Sequence, residues 1–420
     1  MKLPPSIKNW LSLAGLVLAL ISLSIIFFLF VISVVFDQGS SYLGLFIYII
    51  LPVFLVIGLI LIPIGMIRKI RRDKKQDKVE SLSWPMINFN LKKHRKAAVV
   101  FLSVTLVFLM VSAIGSYEAF HYTESVEFCG KLCHQVMKPE YVAYQNSAHA
   151  RVACVTCHVG PGADWYVRSK MSGLYQVYAV TLGDYPKPIP TPIKNLRPAQ
   201  ETCEQCHWPE KFYSRQLVTN KHYLANESNS EWDIQMKIKT GPSLSALGLQ
   251  EGIHWHINPD VKIEYIATNP QRDTIPWVRY TNMKTGEVYV YEDTENPLEN
   301  PEDYTDDIRV MDCIDCHNRP SHSYGDPSDF VDDALTSGRI SRDLPDIKLL
   351  SMEMLYPEFP TTDSAMTFIA NGVWEYYDIL YPEVLEEREA DVQEAIAVLQ
   401  AEFRKNIFPE MKVRWDVYPS

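Results

Sequence analysis

The chain of 420 residues has no cysteine to spare, because all eight fall into four clusters. It has no glycine-rich phosphate loop and no nucleophile–base motif of the protease kind. Neither nucleotide-driven nor hydrolytic chemistry therefore has residues to work with. Charge is missing from two long stretches near the start, Leu11 to Phe36 and Tyr42 to Ile67. No Lys or Arg occupies the short link between them, Asp37 to Ser41. The basic clusters lie beside apolar runs, where they signal membrane topology instead of a nucleic-acid site.

Both uncharged runs exceed the roughly 20 residues needed to cross a bilayer, and Ala97 to Ile114 is a third, shorter run. The first is too long for the apolar region of a signal peptide and has no evident cleavage site. Lys2 and Lys8 precede it. Arg68, Lys69, Arg71, Arg72, Lys74, Lys75 and Lys78 follow the second run, and Lys92, Lys93, Arg95 and Lys96 precede the third. Basic residues stay on the cytoplasmic side, so the expected course is in, out, in, out. Everything beyond Gly115 is then placed outside a bacterial inner membrane. Residues 1–115 carry a net charge of +9 and residues 116–420 a net charge of −20, which favours basic or weakly docked redox partners for the outer part.

The four clusters are Cys129, Cys133 and His134; Cys154, Cys157 and His158; Cys203, Cys206 and His207; and Cys313, Cys316 and His317. A thiol pair alone suits a disulfide or half of a zinc site. Neither use explains a histidine after the second cysteine four times in four. In C-x-x-C-H the two thiols can bond the vinyl groups of a haem, and the histidine then ligates the iron. Four covalently bound haem c groups are therefore expected, in the oxidising compartment where such attachment belongs. The first cluster has three residues between its cysteines, which lengthens the loop under that haem.

The expected fold is mainly α. It comprises a transmembrane helical hairpin over 1–67, a basic cytoplasmic loop over 68–96, and an anchor helix over 97–115. A tetrahaem domain over 116–325 follows, then an acidic helical region over 326–420. Between the third and fourth motifs lies an insertion of about 223–310. There Val261–Thr268, Ile275–Thr281 and Glu287–Glu292 have strand composition, the last two flanking a turn at Asn282–Gly286. Ser364–Leu380 should be a helix stopped near Pro382. Leu385, Val392, Ile396, Leu399 and Phe403 mark one face of the next helix, expected to pack on the haem domain. The sequence from Lys412 to Ser420 shows no capping element.

Several residues around the motifs resemble the NapC/NirT/NrfH family of membrane-anchored tetrahaem quinol dehydrogenases. They are Glu127-Phe128-Cys129, Cys133-His134 with Met137 and Pro139, and Tyr144 with Ser147-Ala-His149. Arg151-Val-Ala-Cys154-Val-Thr-Cys157-His158-Val159 continues the match, and His322 follows His317 by five. The family has one anchor helix, so the first two spans are additional. The resemblance implies Met137 for the first haem iron, His322 for the second and His149 for the fourth, with His222 our choice for the third. His254 and His256 are further ligand candidates, for the first or third haem or for haems not on this chain. The region from His254 to Tyr418 also resembles larger inner-membrane multihaem cytochromes of metal-reducing bacteria, which implies either a naturally shorter relative or a shortened chain.

The family's quinol pocket uses a lysine, matched here by Lys170. Its accompanying acid is replaced by Gln176, with Asp184 the nearest substitute. The function implied is oxidation of menaquinol from the membrane quinone pool, with electrons passed to a periplasmic multihaem cytochrome or terminal reductase. The alternative is a relay or anchoring subunit, without its own quinol site, docked on other membrane subunits. No nucleic acid is involved.

Overall fold

The computed structural model describes residues 9–36, 51–75, 89–131, 134–191, 197–208, 211–212, 214–242, 251–269 and 272–418. Lys2, Lys8, Lys78, the 37–41 link, Cys133 and the side chain of His134 lie outside them. The chain is mainly α and forms two compact units, Met1–Cys133 and His134–Ser420.

The first unit contains three helices long and apolar enough to cross a membrane: α1 (Trp10–Phe36), α2 (Leu51–Lys75) and α3 (Lys92–Thr123). α1 and α2 approach through small residues. A Cβ added to Gly58 would sit 2.7 Å from the Ala19 nitrogen, and one on Gly15 would sit 2.6 Å from the Gly58 carbonyl oxygen. In lipid, where apolar side chains gain nothing by leaving the solvent, such close backbone packing is what joins helices. Ser12 adds a hydrogen bond from Oγ to the Ile62 carbonyl at 2.8 Å. α3 extends past the expected Ala97–Ile114 at both ends. It begins in the basic collar Lys92–Lys96 and ends among Tyr117, Phe120 and Tyr122, the aromatic type that settles at a membrane boundary. A short helix α4 (Val126–Lys131) then carries Cys129.

The second unit opens with α5 (His134–Gln145), α6 (Cys154–His158), α7 (Ala163–Leu182) and α8 (Ala199–Cys203). An antiparallel ribbon follows, β1 (Arg215–Tyr223) with β2 (Glu231–Lys239). A four-stranded antiparallel sheet comes next, in the order β5-β4-β3-β6, made of β3 (Val261–Ile266), β4 (Trp277–Asn282), β5 (Val288–Glu292) and β6 (Arg309–Val310). The three expected strands and their turn are present. The ribbon was not anticipated: β1 lacks apolar alternation at Gln216, Asn220 and Lys221, but β2 alternates strictly, with Trp232, Ile234, Met236 and Ile238 between Asp233, Gln235, Lys237 and Lys239, and was overlooked.

Helix α9 (Cys313–Cys316) leads into a helical bundle of α10 (Pro327–Thr336), α11 (Ile347–Leu355), α12 (Thr362–Leu380) and α13 (Pro382–Asn406). α12 starts with a capping box between Thr361 and Ser364. Pro382, which cannot continue a helix but suits the first turn of one, opens α13. Val392, Leu399 and Phe403 are fully buried among Leu335, Leu350, Ile369 and Tyr377. The apolar face of α13 thus completes the bundle's own core, correcting the expectation that it packs on the haem domain. The three partner helices each present an apolar stripe that needs covering. The C-terminal segment is also anchored. Phe408, Met411, Val413 and Tyr418 pack on Val136 and Ala143 of α5 and on Tyr324.

Candidate functional site: three motifs and their facing histidines

Each complete motif in the second unit is a tight turn that brings its histidine back over its first cysteine. His207 N donates to the Cys203 carbonyl and His317 N to the Cys313 carbonyl, both at 2.8 Å. The three motifs converge. The Cys203 and Cys313 side chains lie within hydrogen-bonding reach of one another, which lowers the pKa of Cys203. Burial raises Cys157, reinforced by Cys203, Cys154 and Cys206.

Opposite each of these motif histidines stands a second one. The ring centres of His158 and His322 are 6.2 Å apart, those of His149 and His207 6.0 Å, and those of His254 and His317 6.5 Å. Two imidazoles bonded to opposite sides of one metal ion at about 2 Å each have ring centres roughly 6 Å apart. The outer histidine of every pair is oriented through its Nδ1. His149 meets the Pro320 carbonyl at 3.1 Å, His322 the Glu140 carbonyl at 3.1 Å, and His254 the Thr240 carbonyl at 3.0 Å. This fixes a neutral tautomer whose Nε2 can face a metal, the arrangement metal-bound histidines commonly show. Burial lowers the pKa of both His158 and His322, which keeps them in the ligating neutral form. The donor set, the spacing and the orientation all fit haem iron.

The placement differs from the expectation at three residues. His149 faces the third motif instead of the fourth. His222, chosen for the third, sits on β1, where its Nδ1 meets Asp332 at 3.1 Å and its ring lies 5.0 Å from Trp232. Asp332 is in turn held by Lys348 at 2.6 Å, so His222 belongs to a buried ionic knot joining the ribbon to the bundle. His254 takes the place opposite His317. Gly252, at φ +91°, permits this: a Cβ there would come within 2.7 Å of the Lys239 carbonyl oxygen. Among the described residues His256 opposes no motif histidine, and burial followed by the neighbouring His254 lowers its pKa. Met137 is half-buried on α5, and its partner motif lies across the residues not described.

Three supporting residues escaped the sequence reading. Asp315, between the cysteines of the fourth motif, accepts from Tyr265 at 2.8 Å and from Arg272 and Arg309 at 2.7 Å each. Its other oxygen caps the Asp312 N–H at 2.7 Å. These bonds clamp the fourth motif to β3. Glu140 reaches His322 Nδ1 at 3.0 Å, and both its oxygens accept from Arg319 Nη2 at 3.1 Å. The Arg319 guanidinium lies 4.9 and 4.2 Å from the ring centres of Tyr324 and Tyr418. An acidic residue inside a motif was the one visible signal for Asp315; nothing local flagged Glu140 or Arg319.

Helix α7 carries the quinol-site candidates. Lys170 Nζ lies 4.9 Å from the Tyr166 ring centre. Val167, Met171, Leu174, Tyr178 and Leu182 form an exposed apolar stripe along the helix, and Lys170 flanks it. Gln176 lies about 240° round the helix from Lys170 and makes a long contact of 3.5 Å to Ser172. Asp184 is exposed beyond the C-terminal cap at Gly183.

A membrane protein whose motifs gather histidine pairs at iron-spanning distance is a cytochrome c of the membrane-bound, multihaem class. The chain belongs to the NapC/NirT cytochrome c family, whose N-terminal-region model matches residues 91–188. It is 41% identical to the cytochrome c-type protein ImcH of Geobacter sulfurreducens over 98% of this chain and 80% of that protein. It is 33% identical to the cytochrome c-type protein NrfH of Wolinella succinogenes over 24% of this chain and 57% of that protein. No solved structure matches the chain. Membership implies covalently bound haem c and a role in electron transfer.

Proposed function

We propose that this chain carries four haems, takes electrons from menaquinol and delivers them to a redox protein on the periplasmic side. Bound haem supplies a one-electron redox centre, while the polypeptide sets its ligands, solvent access and surroundings. Cys154 and Cys157 with His158 and His322 would hold the second group. Cys203 and Cys206 with His207 and His149 would hold the third. Cys313 and Cys316 with His317 and His254 would hold the fourth. Cys129, Cys133 and His134 would hold the first, with Met137 its second ligand.

The observation that carries the quinol reading is α7. Its apolar stripe, bordered by Trp165, Tyr166, Arg168 and Lys170, is the pattern of a helix lying in a membrane–water interface. A quinol head group leaving the bilayer there meets a fixed cation, which stabilises the oxygen as it loses its proton. Detergent-purified protein should be reduced by a menaquinol analogue, and Lys170→Ala should slow that reduction. Absence of reduction in the parent protein refutes the reading. The relay alternative draws on Gln176, which offers no carboxylate to accept a proton. Quinol-dependent reduction indifferent to Lys170→Ala would favour it.

A further inference from the structure

The four-stranded sheet ends in a strand unlike the edges that soluble proteins usually leave open. β5 is exposed along its whole length, and Val288, Tyr289, Val290 and Tyr291 are each about half exposed or more. Open edges are normally blunted by lysine, proline or a bulge, because a bare apolar edge invites another protein. β5 has none of these. The chain from Glu287 to Asp307, which begins with this strand, holds nine Asp and Glu and no Lys, Arg or His.

The cations near the sheet do not offset that charge, because each is already engaged. Lys262 and Arg279 pair with Glu264, both at 2.8 Å. Lys284 pairs with Asp260, and Arg272 and Arg309 are held on Asp315. An exposed aromatic and aliphatic strip framed by carboxylates that, among the described residues, have no cation partner is complementary to a protein with a basic contact face.

Its position adds the second line of evidence. A row of rings crosses the sheet: Tyr289 lies 6.0 Å from Tyr280, and Tyr280 lies 6.0 Å from Trp255. Trp255 is next in sequence to His254, which faces His317. On the far edge, β6 runs straight into Cys313, and the Met311 N–H bonds the Ile263 carbonyl of β3 at 2.9 Å. The sheet is therefore a platform built onto the fourth motif.

We propose that β5 and the acidic segment after it form the docking surface for a lysine-rich one-electron carrier protein, which meets this chain at the sheet edge opposite the one that leads into the fourth motif. This rests on the electron-transfer reading of that motif and adds where the acceptor binds and what its contact surface is made of. The tyrosines supply the buried contact and the carboxylates the attraction that orients approach.

The test measures binding of a lysine-rich monohaem cytochrome c, as the probe, to full-length oxidised holoprotein in detergent, at two ionic strengths. The triple change Glu292→Gln, Glu295→Gln and Glu299→Gln should weaken binding roughly tenfold at low salt and flatten the salt dependence. A control triple on α13, Glu386→Gln, Glu387→Gln and Glu394→Gln, removes the same charge elsewhere and should change Kd by less than about twofold. Tyr289→Ser with Tyr291→Ser should raise Kd several-fold and leave the salt slope intact. Equal weakening by both triples, or none by either, overturns the proposal. So does a sedimenting dimer that the tyrosine changes dissolve, since a second copy would then own the edge. Because binding is read without quinol, a protein that docks the probe yet ignores a menaquinol analogue sinks the quinol reading alone.

Discussion

Glu140→Gln should raise the midpoint potential of the haem proposed to sit between His158 and His322. The carboxylate reaches His322 Nδ1 at 3.0 Å, so it feeds negative charge toward an iron that is more positive when oxidised. The change keeps the main support for the ring, because the Glu140 backbone carbonyl also accepts from Nδ1 at 3.1 Å. Hydrogen bonds to charged groups contribute roughly 1.5–3 kcal/mol. Arg319 binds both carboxylate oxygens and absorbs much of that. If on the order of 1 kcal/mol acts on the oxidised state alone, the one-electron potential rises by about 40 mV, because about 59 mV corresponds to a tenfold change. Arg319→Gln should move the same potential the other way, since it frees the carboxylate from its cation. Spectroelectrochemical titration of the visible haem bands resolves both shifts. Shifts of the same sign, or no shift from either change, would refute the charge argument. An unaltered low-spin spectrum in both variants would show that ligation survived the substitutions.

Other consequences are equally direct. Leu399→Ala removes a fully buried side chain from the bundle core and should cost about 2–5 kcal/mol, read as a lower melting temperature with haem content unchanged. Gly58→Val should separate α1 from α2, because its Cβ would meet the α1 backbone; cross-linking between cysteines introduced on the two helices would report the loss. Arg279, by its hydrogen bond, holds the Glu264 carboxyl below its usual range. The pair's contribution is therefore complete above the ordinary glutamate range and disappears as pH falls through the depressed value. Acid titration of stability should show this step in the parent protein and lose it in Glu264→Gln. The intact mass should show four haems, falling to three in a Cys129→Ala, Cys133→Ala variant.

The parts of this protein that follow local rules were legible in its sequence. The apolar runs declare the helices that can cross a membrane, and three strands with their turn stand out by composition and by Asn282 and Gly286. The motif spacing also names its own chemistry, because the cysteines and the histidine act on one small group. What faces each motif is a different matter. His149, His254 and His322 come from a turn, an insertion and a segment just past the fourth motif, and only the folded chain decides which meets which. The resemblance paired His149 with the fourth motif, whereas the insertion places His254 there and leaves His149 beside His207. Lys170 was recognisable by position, but the stripe it borders emerges only when α7 is seen with one side uncovered. The residues after Asn406 carry no periodic pattern, so their return onto α5 was invisible.

The facing histidines come from distant points of the chain, so an iron bound between the two members of a pair would close a long loop. Loop closure costs entropy that a few hydrogen bonds cannot recover, and a covalently held metal bridge lowers that cost much as a disulfide does. Maturation and folding of the second unit should therefore be one event: the polypeptide before cofactor delivery ought to be readily digested by proteases, and the finished protein resistant.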